Sequence, residues 1–230
     1  MLEDGSVYEG TARGDFKETA CEIVFNTSMT GYVEILTDPS YAGQGVVMTY
    51  PMIGNYGISR EDFESERLQP SAFIVHELSS DPSNLRCTDT IENLLKEYNI
   101  PCISGVDTRA VVKKLRESGT MRGVLTSDIG DRERLMDVIK SFRQIDLVGS
   151  VTAKQTKVYG EENTGAEIAL MDFGTKRNII NNLVKRNCIV TVYPSFTSAD
   201  EIIKTSPDGI MLSNGPGDPE PCDYAITAIR

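Results

Sequence analysis

The 230-residue sequence predicts an α/β protein in two parts: mixed strands and helices over residues 1–150, and a parallel sheet over 167–230. Three observations predict it. In the first part, short β-branched and aromatic runs alternate with segments of helical periodicity. The stretch 151–166 is polar and aperiodic, as a linker or an exposed crossing segment is. The last part reads strand, helix, strand, helix, strand, the order that builds a parallel sheet with right-handed crossovers.

The first part opens β-rich. Residues 6–10 follow an Asp-Gly turn signal, and Glu22-Ile23-Val24-Phe25, Val46-Val47-Met48-Thr49-Tyr50 and Ala72-Phe73-Ile74-Val75 have strand composition. Between them lie loops rich in Gly, Pro and Asn, such as Asp38-Pro39-Ser40. A helix is expected over 90–98, where Ile91, Leu94 and Leu95 share a face. Asp107 is a fitting N-cap for a second helix with Val111, Val112 and Leu115 on one side, stopped at Gly119. Asp131 caps a third, with Leu135, Val138, Ile139 and Phe142 at helical spacing. Cys102-Ile103-Ser104 and Val124-Leu125-Thr126 are short strands between them.

In the last part, Ile168-Ala169-Leu170-Met171 has the continuous apolar character of a buried strand. A turn at Asp172-Phe173-Gly174-Thr175 leads to a helix carrying Ile179, Ile180, Leu183 and Val184. Ile189-Val190-Thr191-Val192 is the second strand, a helix opens at Thr197-Ser198-Ala199-Asp200, and Gly209-Ile210-Met211-Leu212 is the third strand. Another helix begins after Asp223. These ~65 residues are fewer than the roughly 100–150 of a usual domain. The expectation is an incomplete α/β domain with an exposed apolar edge beside the third strand.

Composition narrows the function classes. The net charge of −11 disfavours a nucleic-acid partner and an anionic membrane surface. No apolar run reaches the ~18 residues of a membrane span, and the first residues resemble no signal peptide. The five cysteines (Cys21, Cys87, Cys102, Cys188, Cys222) are scattered and form no C-x-x-C pair. They read as free thiols of a reducing cytoplasm rather than staples or zinc ligands. A single histidine, His76, rules out a multi-His metal site built from this sequence alone; no metal site is expected.

The stretch that speaks to chemistry is Leu212-Ser213-Asn214-Gly215-Pro216-Gly217-Asp218-Pro219, directly after the third strand. Ligands of open α/β sheets bind beyond the carboxyl ends of strands. Two glycines around a proline make a rigid turn with accessible N–H groups, able to hold a carboxylate or an oxyanion. Taken alone, the same three residues also make an ordinary strand-to-helix turn.

The longer string Ser-Asn-Gly-Pro-Gly-Asp-Pro resembles the glycine loop of class I glutamine amidotransferases. With Cys222-Asp223-Tyr224-Ala225 it is similar to the version in carbamoyl-phosphate synthase small subunits. Other segments resemble the same family in order along the chain: Phe25-Asn26-Thr27-Ser28-Met29-Thr30-Gly31-Tyr32, Glu34-Ile35-Leu36-Thr37-Asp38-Pro39-Ser40-Tyr41, Thr49-Tyr50-Pro51, Asp107-Thr108-Arg109, and Asp172-Phe173-Gly174 with Lys176-Arg177-Asn178. The resemblance implies a small-subunit N-terminal domain followed by the first half of a class I amidotransferase domain with a flavodoxin-like parallel sheet.

It also implies a function. Such a subunit hydrolyses L-glutamine and passes ammonia to a large synthetase subunit, which uses ATP and bicarbonate. ATP and a divalent metal are expected on that partner, and no cofactor on this subunit. Glutamine is expected at Ser40, the serine of the Asp-Pro-Ser motif, and at Gly215 and Gly217. Lys176 reads equally as a favourable charge near an anion or as a solvated helix-start lysine. No catalytic residue is expected: the family's Gly-x-Cys-x-Gly-x-Gln elbow, with its later His and Glu, is not found in these residues. Cys222 reads as a helix-start residue and His76 as a structural histidine. The sequence is therefore expected to stop ahead of the nucleophile and to lack glutaminase activity. One alternative is a non-catalytic docking module for the large subunit. A generic flavodoxin-like binding domain is another, but Phe173-Gly174-Thr175-Lys176 is too short a signal for its phosphate turn.

Overall fold

A computed structural model describes residues 1–14, 16–143 and 146–230. The chain divides into two compact units, Met1–Thr37 with Gly43–Gln144, and Asp38–Ala42 with Ile145–Arg230.

The first unit contains, in order, β1 (Thr11–Arg13), β2 (Thr19–Asn26), α1 (Tyr32–Thr37), β3 (Gln44–Met48), β4 (Met52–Ile53), β5 (Ala72–Ile74), β6 (Glu77–Leu78), α2 (Ile91–Glu97), β7 (Cys102–Ser104), α3 (Thr108–Ser118), β8 (Met121–Leu125) and α4 (Arg132–Ser141). Its main sheet runs β1-β7-β5-β3-β2-β8. The four inner strands are parallel, and β1 and β8 close the edges antiparallel. β4 and β6 form a separate parallel pair. Parallel strands need both faces covered, and the β3 residues Val46, Val47 and Met48 are all fully buried. On one face, Ile23, Val47 and Ile74 meet Val111, Val112 and Leu115 of α3.

The helix ends follow local chemistry. Asp107 Oδ1 accepts from Ala110 N at 3.0 Å, and Gly119 ends α3 with φ +84°. Asp131 Oδ1 accepts from Arg134 N at 2.9 Å, and Thr90 Oγ1 from Asn93 N at 3.2 Å. Each side-chain oxygen satisfies an N–H that the first helical turn leaves unpaired.

One strand expectation moves. Residues 6–10 form no ladder, and the first strand is Thr11–Arg13. Tyr8 packs instead against the core, and Gly10 lies so near Ser104 O that a Cβ would stand 2.5 Å from it. Close packing, rather than strand pairing, fixes that segment.

The second unit holds a 3₁₀ turn (Pro39–Tyr41), α5 (Leu147–Val151), β9 (Lys157–Tyr159), β10 (Glu167–Asp172), α6 (Arg177–Val184), β11 (Ile189–Pro194), α7 (Ala199–Ile203), β12 (Gly209–Leu212) and α8 (Asp223–Ile229). Its sheet runs β12-β10-β11-β9. β10 is central, parallel to β11 and to β12. Leu170, Val190 and Val192 face Ile180 of α6; Ala169, Met171 and Tyr193 face Ile202 of α7.

Residues 151–166, expected as a linker, are not structureless. Lys157–Tyr159 is β9, antiparallel to β11. Three residues are too few for the periodicity that marks longer strands, so the ladder comes from the neighbouring strand. The expected apolar exposure beside the third parallel strand is present: β12 is an edge strand, with Ile210 54% and Leu212 45% exposed.

Candidate functional site

The second unit gathers three loops at the carboxyl ends of β10 and β12. Asp172, the last residue of β10, is buried. Its Oδ1 accepts from Gly174 N at 2.9 Å and Thr175 N at 2.7 Å, and its Oδ2 from Ala153 N at 2.7 Å. One carboxylate thus shapes the turn into α6 and ties it to the residues after α5. Gly174 has φ +124°, and a Cβ there would press on Val151, Pro216 and Pro39 at 3.0–3.1 Å.

Beyond β12, Phe173 N donates to Ser213 Oγ at 2.8 Å, which donates to Asn214 O at 2.6 Å. This pins the glycine loop onto the turn after β10. Gly215 packs against the Phe173 backbone so tightly that a Cβ would overlap the Phe173 carbonyl oxygen. Gly217 adopts φ +72°, a conformation that side chains with a Cβ resist. The glycines therefore serve loop geometry. Among the described residues, neither the Gly215 nor the Gly217 N–H donates a hydrogen bond within the protein.

Ser40 joins this cluster. Asp38 caps its 3₁₀ turn, Oδ1 accepting from Ser40 N at 2.9 Å. Asn214 Nδ2 donates to Ser40 Oγ at 2.9 Å and to the Gly174 carbonyl at 3.0 Å. With Asn214 as donor, the Ser40 hydroxyl keeps its own proton to give. Asn214 Oδ1 is buried with no partner among the described residues.

Lys176 has a third role beside the two readings of the sequence. Its Nζ lies 2.7 Å from Asp38 Oδ2, whose side chain is only 6% exposed. The ammonium neutralises the carboxylate that orients Ser40. The three expected contact residues are thus brought together: Ser40 against Asn214, and Gly215 and Gly217 directly after it. Asn214 and Asp38 stood inside quoted motifs without being singled out. Nothing in the sequence paired Asn214 with Ser40, 174 residues away.

The two remaining candidates take no part in these hydrogen bonds. Cys222 is the N-cap residue of α8 and buried. His76 Nδ1 is hydrogen-bonded to Val106 O at 3.0 Å in the first unit. Among the described residues no group of His, Cys, Asp and Glu is placed to hold a metal ion. No described helix is long and apolar enough to cross a membrane.

Known proteins give independent comparisons. A family model described as carbamoyl-phosphate synthase small chain, CPSase domain, matches residues 1–125, and a glutamine amidotransferase class-I model matches 169–230. The carbamoyl phosphate synthase small chain of Listeria monocytogenes serotype 4b (strain F2365) is 46% identical over 231 residues, covering 100% of this chain and 63% of that protein. Those of Clostridium perfringens (strain 13 / Type A) and Syntrophotalea carbinolica are each 47% identical, over 231 and 245 residues; the match covers 100% of this chain and 65% of each. The chain spans just under two thirds of the length of these relatives.

Proposed function

The chain belongs to the carbamoyl-phosphate synthase small-chain family, and from that premise we propose that it forms part of a subunit that hydrolyses L-glutamine for carbamoyl-phosphate synthesis. The observation that carries this reading is the hydrogen bond of Asn214 to Ser40 beside two glycine N–H groups without a partner among the described residues. A hydroxyl free to donate, next to backbone donors, suits the polar groups of an amino-acid substrate and the oxyanion formed when its amide is attacked. The 230 residues contain no Gly-x-Cys-x-Gly elbow, so by themselves they hold part of a pocket and release no ammonia. Ammonia made by the subunit passes to a large cytoplasmic partner that uses ATP and a divalent metal.

Titration with L-glutamine, followed by amide NMR, tests the pocket. The Ser40, Gly215 and Gly217 amides are expected to shift, with D-glutamine ineffective, and Ser40→Ala to weaken the response about tenfold, one charge-assisted hydrogen bond. Equal responses to both enantiomers, or none, overturn the assignment. The docking reading is supported by the first unit forming a compact unit of its own; co-elution with a family large subunit tests it.

A further inference from the structure

We propose that a groove on the first unit is a binding site for an anion carrying two or more phosphate groups. The groove has a volume of about 610 Å³ and is lined by Thr27, Thr49, Arg109, Lys113, Arg116 and Glu117, together with the buried Val112. It lies far along the chain from the glycine loop, and the proposal does not depend on the glutamine reading.

Three observations converge there. First, Thr27 and Thr49 directly follow β2 and β3, two adjacent parallel strands, and Thr49 N donates to Asn26 O at 3.0 Å. The groove therefore opens at the carboxyl ends of a parallel sheet, where open α/β sheets place their ligands. Second, Arg109, Lys113 and Arg116 sit at i, i+4 and i+7 on α3 and are exposed. They share one side of the helix and span ~10 Å at 1.5 Å per residue. In a chain of net charge −11, this concentrates positive charge. Lys114, one residue away, pairs with Asp4 at 2.9 Å, whereas none of the three groove cations forms an ion pair among the described residues. Third, Asn26-Thr27, Thr49-Tyr50-Pro51 and Asp107-Thr108-Arg109, distant in sequence and unused by the glycine-loop site, each contribute to this one groove.

The chemistry selects the ligand class. Two guanidinium groups, an ammonium and two hydroxyls are all donors to phosphate oxygens, and guanidinium pairs with phosphate bidentately. A single phosphate is too short to reach all three cations, so a linear polyphosphate group fits better. Glu117 lowers the net positive charge at the Arg116 end, so Arg116 contributes less to binding than Arg109 and Lys113. The concave shape, walled by two strand-end loops, favours a small anion over a broad acidic protein surface.

Isothermal titration calorimetry of the 230-residue chain with pyrophosphate and tripolyphosphate tests the proposal. The expected result is saturable one-to-one binding that is tighter for tripolyphosphate and weakens from 50 to 200 mM salt as screening predicts. Arg109→Ala and Lys113→Ala each weaken it about tenfold or more, Glu117→Gln tightens it, and Arg132→Ala on α4 leaves it unchanged. All four positions are exposed, and circular dichroism verifies that the variants fold. Absence of saturable binding, or binding indifferent to Arg109 and Lys113, overturns the proposal. So does an acidic hexapeptide that binds more tightly than tripolyphosphate, which would assign the groove to an acidic protein partner.

Discussion

Replacing Asn214 separates two opposing terms that the structure places on one side chain. Its Nδ2 makes two hydrogen bonds, to Ser40 Oγ and Gly174 O, each worth about 1 kcal/mol net. Its Oδ1 is buried without a partner among the described residues, a liability of about 1–3 kcal/mol. Asn214→Ala removes both, so the bonds lost and the penalty relieved nearly cancel, leaving a net change within about 1 kcal/mol of zero. Asn214→Asp keeps the buried oxygen, deletes the donor and turns an anionic oxygen toward the Gly174 carbonyl. That variant loses about 3 kcal/mol or more at neutral pH. Its penalty also has a pH signature. An introduced carboxyl in that position has its folded pKa raised above the unfolded value of about 3.9. The folded state then binds the proton more readily, so stability is recovered as pH falls. Urea unfolding followed by circular dichroism at pH 7 and pH 4.5 measures the difference, with amide exchange in β10 and β12 assigning the loss to the second unit. Equal stability of the two variants at both pH values, or a loss above about 2 kcal/mol for Asn214→Ala, would refute the reasoning.

Gly174→Ala combines positive φ with contacts at 3.0–3.1 Å and is expected to lose about 2 kcal/mol or more. Gly119→Ala, also at positive φ but with open space around it, loses only about 1 kcal/mol; urea midpoints that rank them the other way would contradict the packing account. Arg134 Nη1 and Nη2 hold Glu18 at 2.7 and 2.8 Å. Those bonds, then the Thr126 hydroxyl, lower its pKa from 4.5 to about 2. A depressed acid pKa gives stability that is present above 4.5 and is lost as pH falls toward 2. Carboxyl NMR of Arg134→Gln should show Glu18 titrating nearer 4.5, and an unchanged titration would remove Arg134 as the cause. Burial lifts the thiols of Cys21 and Cys102 to about 12, so a disulfide reagent should label Cys87 and Cys188 in the native protein and spare these two until denaturation. Peptide mapping that finds all four labelled at one rate would count against that burial.

The parts of the fold that were legible in the sequence are those written in local patterns. Asp107 and Asp131 carry their caps within three residues, and Leu135 and Ile139 lie on one helical face; each is a nearest-neighbour effect. Ile168 to Met171 reads as a strand because a parallel strand buried on both faces has no alternation to hide. β9 was missed for the opposite reason. Lys157 and Val158 are exposed, and the segment is a strand only because β11 offers it an edge.

The candidate site divides the same way. The turn at Gly217 was legible, because two glycines around a proline mark one locally, and its φ of +72° is one that glycine accepts. The role of Gly215 was only half legible, since the atom that forbids a side chain there belongs to Phe173, a contact between two loops. Ser40 required more. Its segment, Asp38–Ala42, lies in sequence between α1 and β3 but clusters with the second unit, and what holds it is chemistry: the Lys176–Asp38 ion pair, the Asp38 cap on Ser40 N, and the Asn214 amide on Ser40 Oγ. Each of these interactions has a partner more than 100 residues away or depends on one that does. A motif such as Asp-Pro-Ser therefore shows which residue types can build the turn, and only the folded chain shows why the aspartate is needed. It orients the serine backbone with one oxygen and, with the other, binds the lysine that makes its own burial tolerable.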